Sequence, residues 1–287
     1  MSNPHHHYRH HEETHMTTHR IQPAPGLRTA LLALGLALLG SGPALADQLD
    51  SILAAKKLRV AIDLAVPPYG MKDDKLQSTG SDVETAQLLA RDLGLALEIV
   101  PTTGANRIPF LQTDKADIVI SSLSVTPERE KVVAFSRPYA GILSVVGAPK
   151  GMDLKSAADL EGKKIATARG TTNDQEISKI APKSATLLRF DDDATSITAV
   201  VSGQAQIFAT APALLKAVND KNPAKQMEVK WVMKVNLLAM GLRKGEDRLK
   251  AKIDDWVQLN LKNGQLNAIY KKFHGADLPE QVLQAGS

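Results

Sequence analysis

The sequence predicts an α/β fold, because short apolar strands alternate with amphipathic helices along most of its length. Three strand-like runs, at residues 58–62, 95–100 and 118–120, are separated by helical patterns. A β-α-β-α-β order of this kind gives a parallel sheet with right-handed crossovers. Since the alternation resumes near residue 142, we expect a second α/β unit in the later part of the chain.

Gly80-Ser81-Asp82 is predicted to open the first long helix, and Gly94, a residue typical of helix ends, to stop it. Its apolar residues recur at helical spacing and mark one face for burial: Val83, Ala86, Leu89, Ala90 and Leu93. Asp63 directly follows the first strand. Because ligands bind at the carboxyl ends of parallel strands, Asp63 and the segment after residue 120 should meet at one sheet edge.

The corner that follows the third strand has the composition of an anion-binding site. Small hydroxyls come first: Ser121, Ser122 and Ser124. Thr126 and Pro127 are typical of an N-cap and a first helical residue, and Arg129 falls in the first turn. Helix N-termini and guanidinium groups favour a small carboxylate. The alternative is an ordinary strand-to-helix corner with a solvated arginine.

The second unit contains a corner of the same type. A strand at 165–168 runs into Arg169-Gly170-Thr171-Thr172, and a helix is predicted from about Asp174. Three aspartates, Asp191 to Asp193, later precede a helix at 194–202, and Asp193 is predicted to cap it.

The remaining pattern completes the second unit and the C-terminus. The segment 135–139 is expected to interrupt the strand pattern. On two C-terminal helices, Trp256 and His274 are expected to pack. Further strands are predicted at 142–148, 187–190, 206–209, 229–233 and 238–243, and further helices at 212–219 and 265–273.

Composition excludes several functions. The 287 residues are 43% hydrophobic and 4% aromatic, with a net charge of +4 and no cysteine. The basic residues are dispersed, so nucleic acid is not expected as a partner. Seven of the eight histidines lie in the first twenty residues. We therefore expect no metal site, no cofactor and no Ser-His-Asp triad in the folded part.

Residues 1–46 are predicted to be a leader and a cleaved signal peptide. An apolar run at 31–39 is too short to span a bilayer, and the small-residue site Ala44-Leu45-Ala46 follows it. The mature chain is expected to begin at Asp47, with Met16 as an alternative start. The sequence thus predicts an exported protein, most naturally periplasmic.

Nine segments, in order between residues 55 and 279, resemble the amino-acid-binding family of periplasmic solute-binding proteins of ABC importers. They are 58–63 with Pro67-Pro68-Tyr69, Gly80 to Glu84, Asp117 to Arg129, Val133 to Tyr139, Asp159 to Lys163, Gly170-Thr171-Thr172, Gly203-Gln204, Met240 to Lys244, and Asn263 to Tyr270. The resemblance implies a type II periplasmic-binding-protein fold, in which two parallel-sheet lobes are joined by two crossing strands.

By this resemblance, lobe one comprises residues 47–142 plus 237–287, and lobe two comprises residues 143–236. The expected function is to capture a small amino-acid-like carboxylate, with a polar or acidic amino acid favoured, by closure of the cleft. The expected partner is an inner-membrane ABC permease. We expect a monomer that is not an enzyme.

The resemblance also implies the ligand-binding residues. Arg129 is expected to pair with the α-carboxylate of the ligand, and Asp63 to line the cleft. The other expected contacts are Ser121, Ser122, Ser124, Arg169, Thr171, Thr172 and Thr210.

The sequence departs from the family at the groups for the ligand's ammonium and side chain. Val66 stands where many members have an aromatic residue, and Ser81 replaces a bulky apolar one. The acid that pairs with the ammonium is missing, whether Thr210 or Ala211 fills its position. Either Asp63 or one of Asp191 to Asp193 takes over, or the ligand lacks an ammonium. Otherwise, the triplet is a solvated loop with a helix cap.

The ligand class and the kind of activity stay open at the level of sequence. Arg107 and Arg169 could add to Arg129 and favour an acidic ligand, or could lie on the surface in weak ion pairs. An exported cyclohexadienyl dehydratase-like enzyme could use the same scaffold, although the lobe-two position that could supply its acid is neutral. A soluble sensory module that docks on a receptor could use it too.

Overall fold

The structure, a computed structural model, describes residues 48–285. The predicted leader and signal peptide lie outside the described residues. The first half begins with α1 (Gln48–Ala55) and β1 (Lys57–Asp63). It continues with β2 (Met71–Lys72), β3 (Ser78–Thr79), α2 (Ser81–Asp92), β4 (Ala96–Thr102), α3 (Arg107–Gln112), β5 (Ile118–Val119), α4 (Pro127–Glu130) and β6 (Ala134–Pro149).

The second half keeps the alternation of strands and helices. After a 3₁₀ helix (Ala157–Leu160) come β7 (Lys164–Ala168), α5 (Thr172–Ile180), β8 (Thr186–Phe190), α6 (Asp193–Ser202), β9 (Ile207–Thr210) and α7 (Pro212–Lys221). A second 3₁₀ helix (Pro223–Lys225) leads into β10 (Met227–Leu242). The described chain ends with α8 (Asp247–Lys262), α9 (Gln265–His274) and α10 (Glu280–Ala285).

Eight of these strands form one sheet in the order β4-β1-β5-β10-β6-β9-β7-β8. At one end β1 lies parallel to β4 and β5, and at the other β7 lies parallel to β8 and β9. Between these two parallel groups, β6 and β10 run antiparallel to each other. The predicted α/β fold with parallel strands is confirmed.

The two long strands correct the sequence prediction. Residues 135–139 do not interrupt a strand, because they belong to the 16-residue strand β6. The two strands predicted at 229–233 and 238–243 are one continuous strand, β10. Register shifts interrupt the β6–β10 ladder at several points, and this irregularity hid the continuity from the sequence pattern. These are the two crossing strands; where along them each lobe ends stays a prediction.

Each parallel group has apolar layers on both of its faces. In lobe one, Ile62 of β1 packs in a cluster with Leu89 of α2 and Ile253 of α8, while Leu111 of α3 covers the opposite face. In lobe two, Phe208 of β9 lies between helices α6 and α7 on one side, with Ile177 of α5 on the other. Each fully buried side chain of this kind stabilises the fold by about 1.5–3 kcal/mol.

Two predicted packing residues are confirmed. Trp256 is buried in the lobe-one core, and its indole N–H donates to Asp92 Oδ2 at 2.8 Å. The His274 ring stacks on Tyr270, with 3.9 Å between the ring centroids. Among the described helices, none is both long and apolar enough to cross a membrane.

Candidate functional site

The corner after β5 is buried and is held by hydrogen bonds from neighbouring elements. The backbone N–H of Ser122 donates to Asp82 Oδ2 at 2.7 Å. This bond supports Ser122 at a φ of 42°, in the left-handed region that few non-glycine residues adopt. The Tyr139 hydroxyl donates to the other oxygen of Asp82 at 2.7 Å. Backbone fixed in an uncommon conformation supports a binding role for this corner.

Thr126 and Pro127 position Arg129 as the sequence predicts. The Thr126 hydroxyl accepts the backbone N–H of Arg129 at 3.3 Å, and Pro127 is the first residue of α4. The short helix therefore begins with a capped turn that directs the Arg129 side chain back toward the preceding serines. Arg129 Nη1 donates to the carbonyl of Ser124 at 2.8 Å.

The Arg129 guanidinium is buried without a carboxylate partner in the described chain. Only 6% of the residue is exposed. Arg129 Nη2 donates to the carbonyl of Gly170 at 3.1 Å. The arginine ion pairs found among the described residues do not include Arg129. Burial and the nearby guanidinium of Arg107 lower the pKa of Arg129 to about 9. A carboxylate beside Arg129 would offset this desolvation.

Arg107 is also buried, which excludes the surface alternative for this residue. It is 4% exposed, and its Nη1 donates to the carbonyls of Ser121 at 2.8 Å and Ser122 at 3.1 Å. Its Nε donates to the carbonyl of Gly104 at 3.2 Å. Burial lowers the pKa of Arg107, although the nearby carboxylates of Asp63 and Asp193 oppose this shift. Arg107 thus ties the serine corner to the start of α3.

Asp63 lies beside the serine corner, as predicted from its position after β1. Its backbone N–H donates to Ser121 Oγ at 2.8 Å. The carboxylate faces its own loop, where Oδ1 accepts the Ala65 N–H at 3.0 Å. Burial raises the pKa of Asp63, and Arg107 opposes that rise.

The corner after β7 contributes two buried threonines. Thr171 caps α5 by accepting the Asp174 N–H at 3.2 Å, and its hydroxyl donates to the Ala168 carbonyl at 2.8 Å. The helix therefore begins at Thr172, two residues earlier than predicted. Thr172 Oγ1 lies 3.3 Å from Ser124 Oγ. Hydroxyls of the two lobes are thus in direct contact.

The structure does not bring the Arg169 side chain or the Thr210 hydroxyl to this group. Arg169 is 56% exposed at its side chain, and its Nε lies 3.6 Å from Asp191 Oδ1. Thr210, at the end of β9, is fully buried, and its hydroxyl has no hydrogen-bond partner among the described residues. The role of either residue in ligand binding stays a prediction, as it does for the other predicted site residues.

A small cavity lies between the two corners. Its volume is about 20 Å³, which fits the direct contact between the lobes. Four predicted contacts line it: Ser122, Ser124, Thr171 and Thr172. The remaining lining residues are Val66, Arg107, Ile142, Asn173, Asp193, Ala211 and Leu214. No sequence pattern pointed to Ile142 or Leu214, while Asn173 adjoins the predicted threonines.

Asp193 lines the cavity, and the prediction that it caps α6 is wrong. The cap is Asp192, whose Oδ1 accepts the Thr195 N–H at 2.7 Å. Asp193 is the first helical residue, is 4% exposed, and its Oδ1 has no hydrogen-bond partner in the described chain. Burial and the nearby carboxylate of Asp63 raise the pKa of Asp193 to about 7, against the effect of Arg107.

A larger, mostly apolar cavity of about 610 Å³ borders the small one. The two cavities share Ile142 and Ala211 in their linings. The larger cavity lies among the loop at Pro67, the crossing strand β6, and helices α7 and α9. Of these two shared residues, Ala211 contributes only a methyl group to the boundary between the cavities.

Comparison with known proteins identifies the family. The model for bacterial extracellular solute-binding proteins, family 3, matches residues 58–276. The chain belongs to this family. Among curated proteins, it is 29% identical over 233 residues to the L-cystine-binding protein TcyJ of Escherichia coli K12, covering 80% of this chain and 87% of that one.

Two solved structures extend the comparison to the fold. A mutant of ArgBP from T. maritima superposes with a TM-score of 0.74 at 31% identity, covering 80% of this chain and 100% of that one. An ancestral amino acid-binding protein, described as a precursor of cyclohexadienyl dehydratase, superposes with a TM-score of 0.71 at 34% identity, covering 78% and 98%. The type II periplasmic-binding-protein fold is confirmed. TcyJ and the ancestral protein are both named as binding proteins.

Proposed function

We propose that this chain is the periplasmic substrate-binding component of an ABC importer and that it binds one amino acid between its lobes. The buried guanidinium of Arg129 carries the proposal, because it has no carboxylate partner in the described chain. A planar guanidinium matches the two oxygens of an α-carboxylate. Ser124 and Thr172 are suited to bind the same carboxylate from the two sides of the cavity.

Contacts from both lobes give the ligand its effect on conformation. Each hydrogen bond to a charged group contributes about 1.5–3 kcal/mol. A few bonds made only in the closed state reach the roughly 5.5 kcal/mol that moves an equilibrium from 1:99 to 99:1. The closed form is then the form that the inner-membrane permease recognises. We expect a monomer exported through a cleaved signal peptide.

A zwitterionic amino acid fits these contacts better than a dicarboxylate. The expectation of an acidic ligand depended on three guanidinium groups in the cleft, those of Arg107, Arg129 and Arg169. Arg169 is exposed beside Asp191, and Arg107 Nη1 donates to two carbonyls. Only Arg129 then remains for a ligand carboxylate. Cystine is the ligand named for the TcyJ relative, and amino acid binding is named for the ancestral protein.

The dehydratase alternative is less well supported. TcyJ and the ancestral protein are both named for binding. The neutral residues Ala211 and Leu214 line lobe two of the cavity, but Asp193 adds a buried carboxyl there. A buried carboxyl can act as a general acid. Turnover of prephenate and arogenate by the purified chain is therefore part of the test, and we expect none.

The test is calorimetry on residues 47–287. The probes are the twenty protein L-amino acids, L-cystine, and dicarboxylates without an amino group. We expect at least one amino acid to bind and to raise the melting temperature. Absence of binding across the amino acids, or efficient turnover of prephenate, would refute the proposal.

A further inference from the structure

We propose that Asp193 is the carboxylate that binds the α-ammonium group of the ligand, an inference that rests on the proposed binding of an amino acid. The position expected to hold an acid, Thr210 or Ala211, is neutral. Asp193 lines the same small cavity as Ser124, Thr172 and Ala211. It therefore puts a negative charge on the wall where the ligand would otherwise meet only neutral groups of lobe two.

The Asp193 side chain has the burial and the free oxygen that a cation site needs. The residue is 4% exposed, and Oδ1 accepts no hydrogen bond from any described residue. A buried carboxylate without a donor is unfavourable unless a cation or a proton compensates it. An ammonium group supplies both the charge and the donors.

The neighbouring charges favour a cation at this place. Asp63 on β1, Arg107 on α3 and Asp192 beside the helix start are the charged groups that act on Asp193. Two of these three are carboxylates. Arg107 donates its hydrogen bonds to backbone carbonyls, and no ion pair joins it to Asp193 in the described chain. Asp193 is thus left available for a group on the ligand.

The other nearby carboxylates are already engaged. Asp82 accepts from the Tyr139 hydroxyl and from the Ser122 N–H, both at 2.7 Å. Asp63 Oδ1 accepts the Ala65 N–H. Of the triplet, Asp192 caps α6, and Asp191 is 90% exposed beside Arg169. Asp193 alone of the triplet lines the cavity.

The sign of the pH dependence follows from this arrangement. Ammonium binds the ionised carboxylate, whereas burial and Asp63 raise the pKa of Asp193 to about 7 in the protein alone. Below that pH, binding must displace a proton, so affinity should fall about tenfold for each pH unit. Above it, affinity should level off. A bound ammonium should lower the pKa of Asp193, because an opposite charge favours the ionised form.

The variant Asp193→Asn tests the proposal by removing the charge while keeping the shape. The probe is whichever of the twenty protein L-amino acids or L-cystine binds the wild type most tightly. We expect affinity to fall roughly 100-fold or more, and to lose the part of its pH dependence that the titration of Asp193 causes. The deaminated analogue of the same probe should bind both proteins within about threefold. Asp191→Asn, the same change at an exposed carboxylate, is the matched control and should bind like the wild type.

Folding and binding are separated by a melting curve without ligand. Asp193→Asn should melt no lower than the wild type at pH 8, because it removes an unpaired buried charge. Wild-type affinity in this variant, or equal losses for the amino acid and its deaminated analogue, would overturn the assignment of Asp193. If no amino acid binds the wild type, the proposed function itself has failed, which is a distinct result.

Discussion

The corners after β5 and β7 have the same plan but different chemistry. Each joins a strand to a helix N-terminus through small hydroxyl residues. The first buries the guanidinium of Arg129, and Arg107 donates hydrogen bonds to the carbonyls of its serines. The second buries only hydroxyls, since its arginine, Arg169, is directed to the surface. In the proposed function, one lobe therefore supplies the charge for a carboxylate, while the other supplies hydrogen bonds from neutral groups.

This division suits the proposed opening and closing of the cleft. A buried charge is costly to move between environments, and a neutral hydroxyl is much less so. With Arg129 on lobe one, a ligand would bind first to Arg129 in the open cleft. It would then contact Thr172 of lobe two as the lobes close. The direct contacts between the corners, from Arg129 to Gly170 and from Ser124 to Thr172, are the places to test this difference.

The largest effect is expected for Arg129→Ala. Two charge-assisted hydrogen bonds are lost, so the affinity for the best-binding amino acid should fall about 100-fold or more by calorimetry. Arg169→Ala is the matched control, because its exposed pair with Asp191 contributes about 0–1 kcal/mol. Equal losses in the two variants would mean that the corners share the charge after all.

An intermediate effect is expected at Gly104, which lies between β4 and α3 and faces Thr171 of the second corner. A Cβ on Gly104 would lie 2.9 Å from Thr171 Cγ2 and 3.3 Å from Arg107 Nη2. Gly104→Val should therefore hinder closure and weaken binding about tenfold, mainly through faster dissociation in stopped-flow measurements.

The control for this variant is Gly151→Val, since a Cβ there has no heavy atom within 4 Å. Small-angle scattering with saturating amino acid should give a larger radius for Gly104→Val than for the control. An unchanged affinity and radius would show that the contact at Gly104 plays no part in closure.

No larger effect is expected for Thr172→Val, which removes one neutral hydroxyl from the second corner. One bond from a hydroxyl to the ligand's carboxylate contributes about 1.5 kcal/mol, the low end of the range for bonds to a charged group, so affinity should weaken about tenfold. Thr198→Val removes an exposed hydroxyl from α6, where it bonds the Ala194 carbonyl, and should not change affinity. A loss as large as that of Arg129→Ala would contradict the neutral role of this corner.

Local patterns were sufficient to predict much of the fold. The apolar spacing in α2 and the cap of α4 by Thr126 are both confirmed, because each depends on residues close in sequence. The crossing strands were missed for a physical reason. They run from one lobe to the other, so their residues pass through changing surroundings, and register shifts break the period of two.

The candidate site was harder to predict, because side-chain direction depends on neighbours far along the chain. The sequence alone could not distinguish Arg107 from an arginine on the surface. In the structure it is buried and donates to the carbonyls of Ser121 and Ser122. In the aspartate triplet, a shift of one residue along the chain separates the residue that caps α6 from the residue that lines the cavity. Asp192 takes the cap, and Asp193 consequently turns inward.

The carbonyl of Gly141 anchors the crossing strand β6 (Ala134–Pro149) near the middle of its length. Two phenols donate to it, from Tyr69 at 2.6 Å and from Tyr270 at 3.3 Å. A side chain at Gly141 would also meet Pro279, with Cβ 2.8 Å from its Cγ. These contacts therefore hold β6 in place on its lobe-one side. We therefore expect any bending between the lobes to begin near Ile142, the next residue, which lines both cavities.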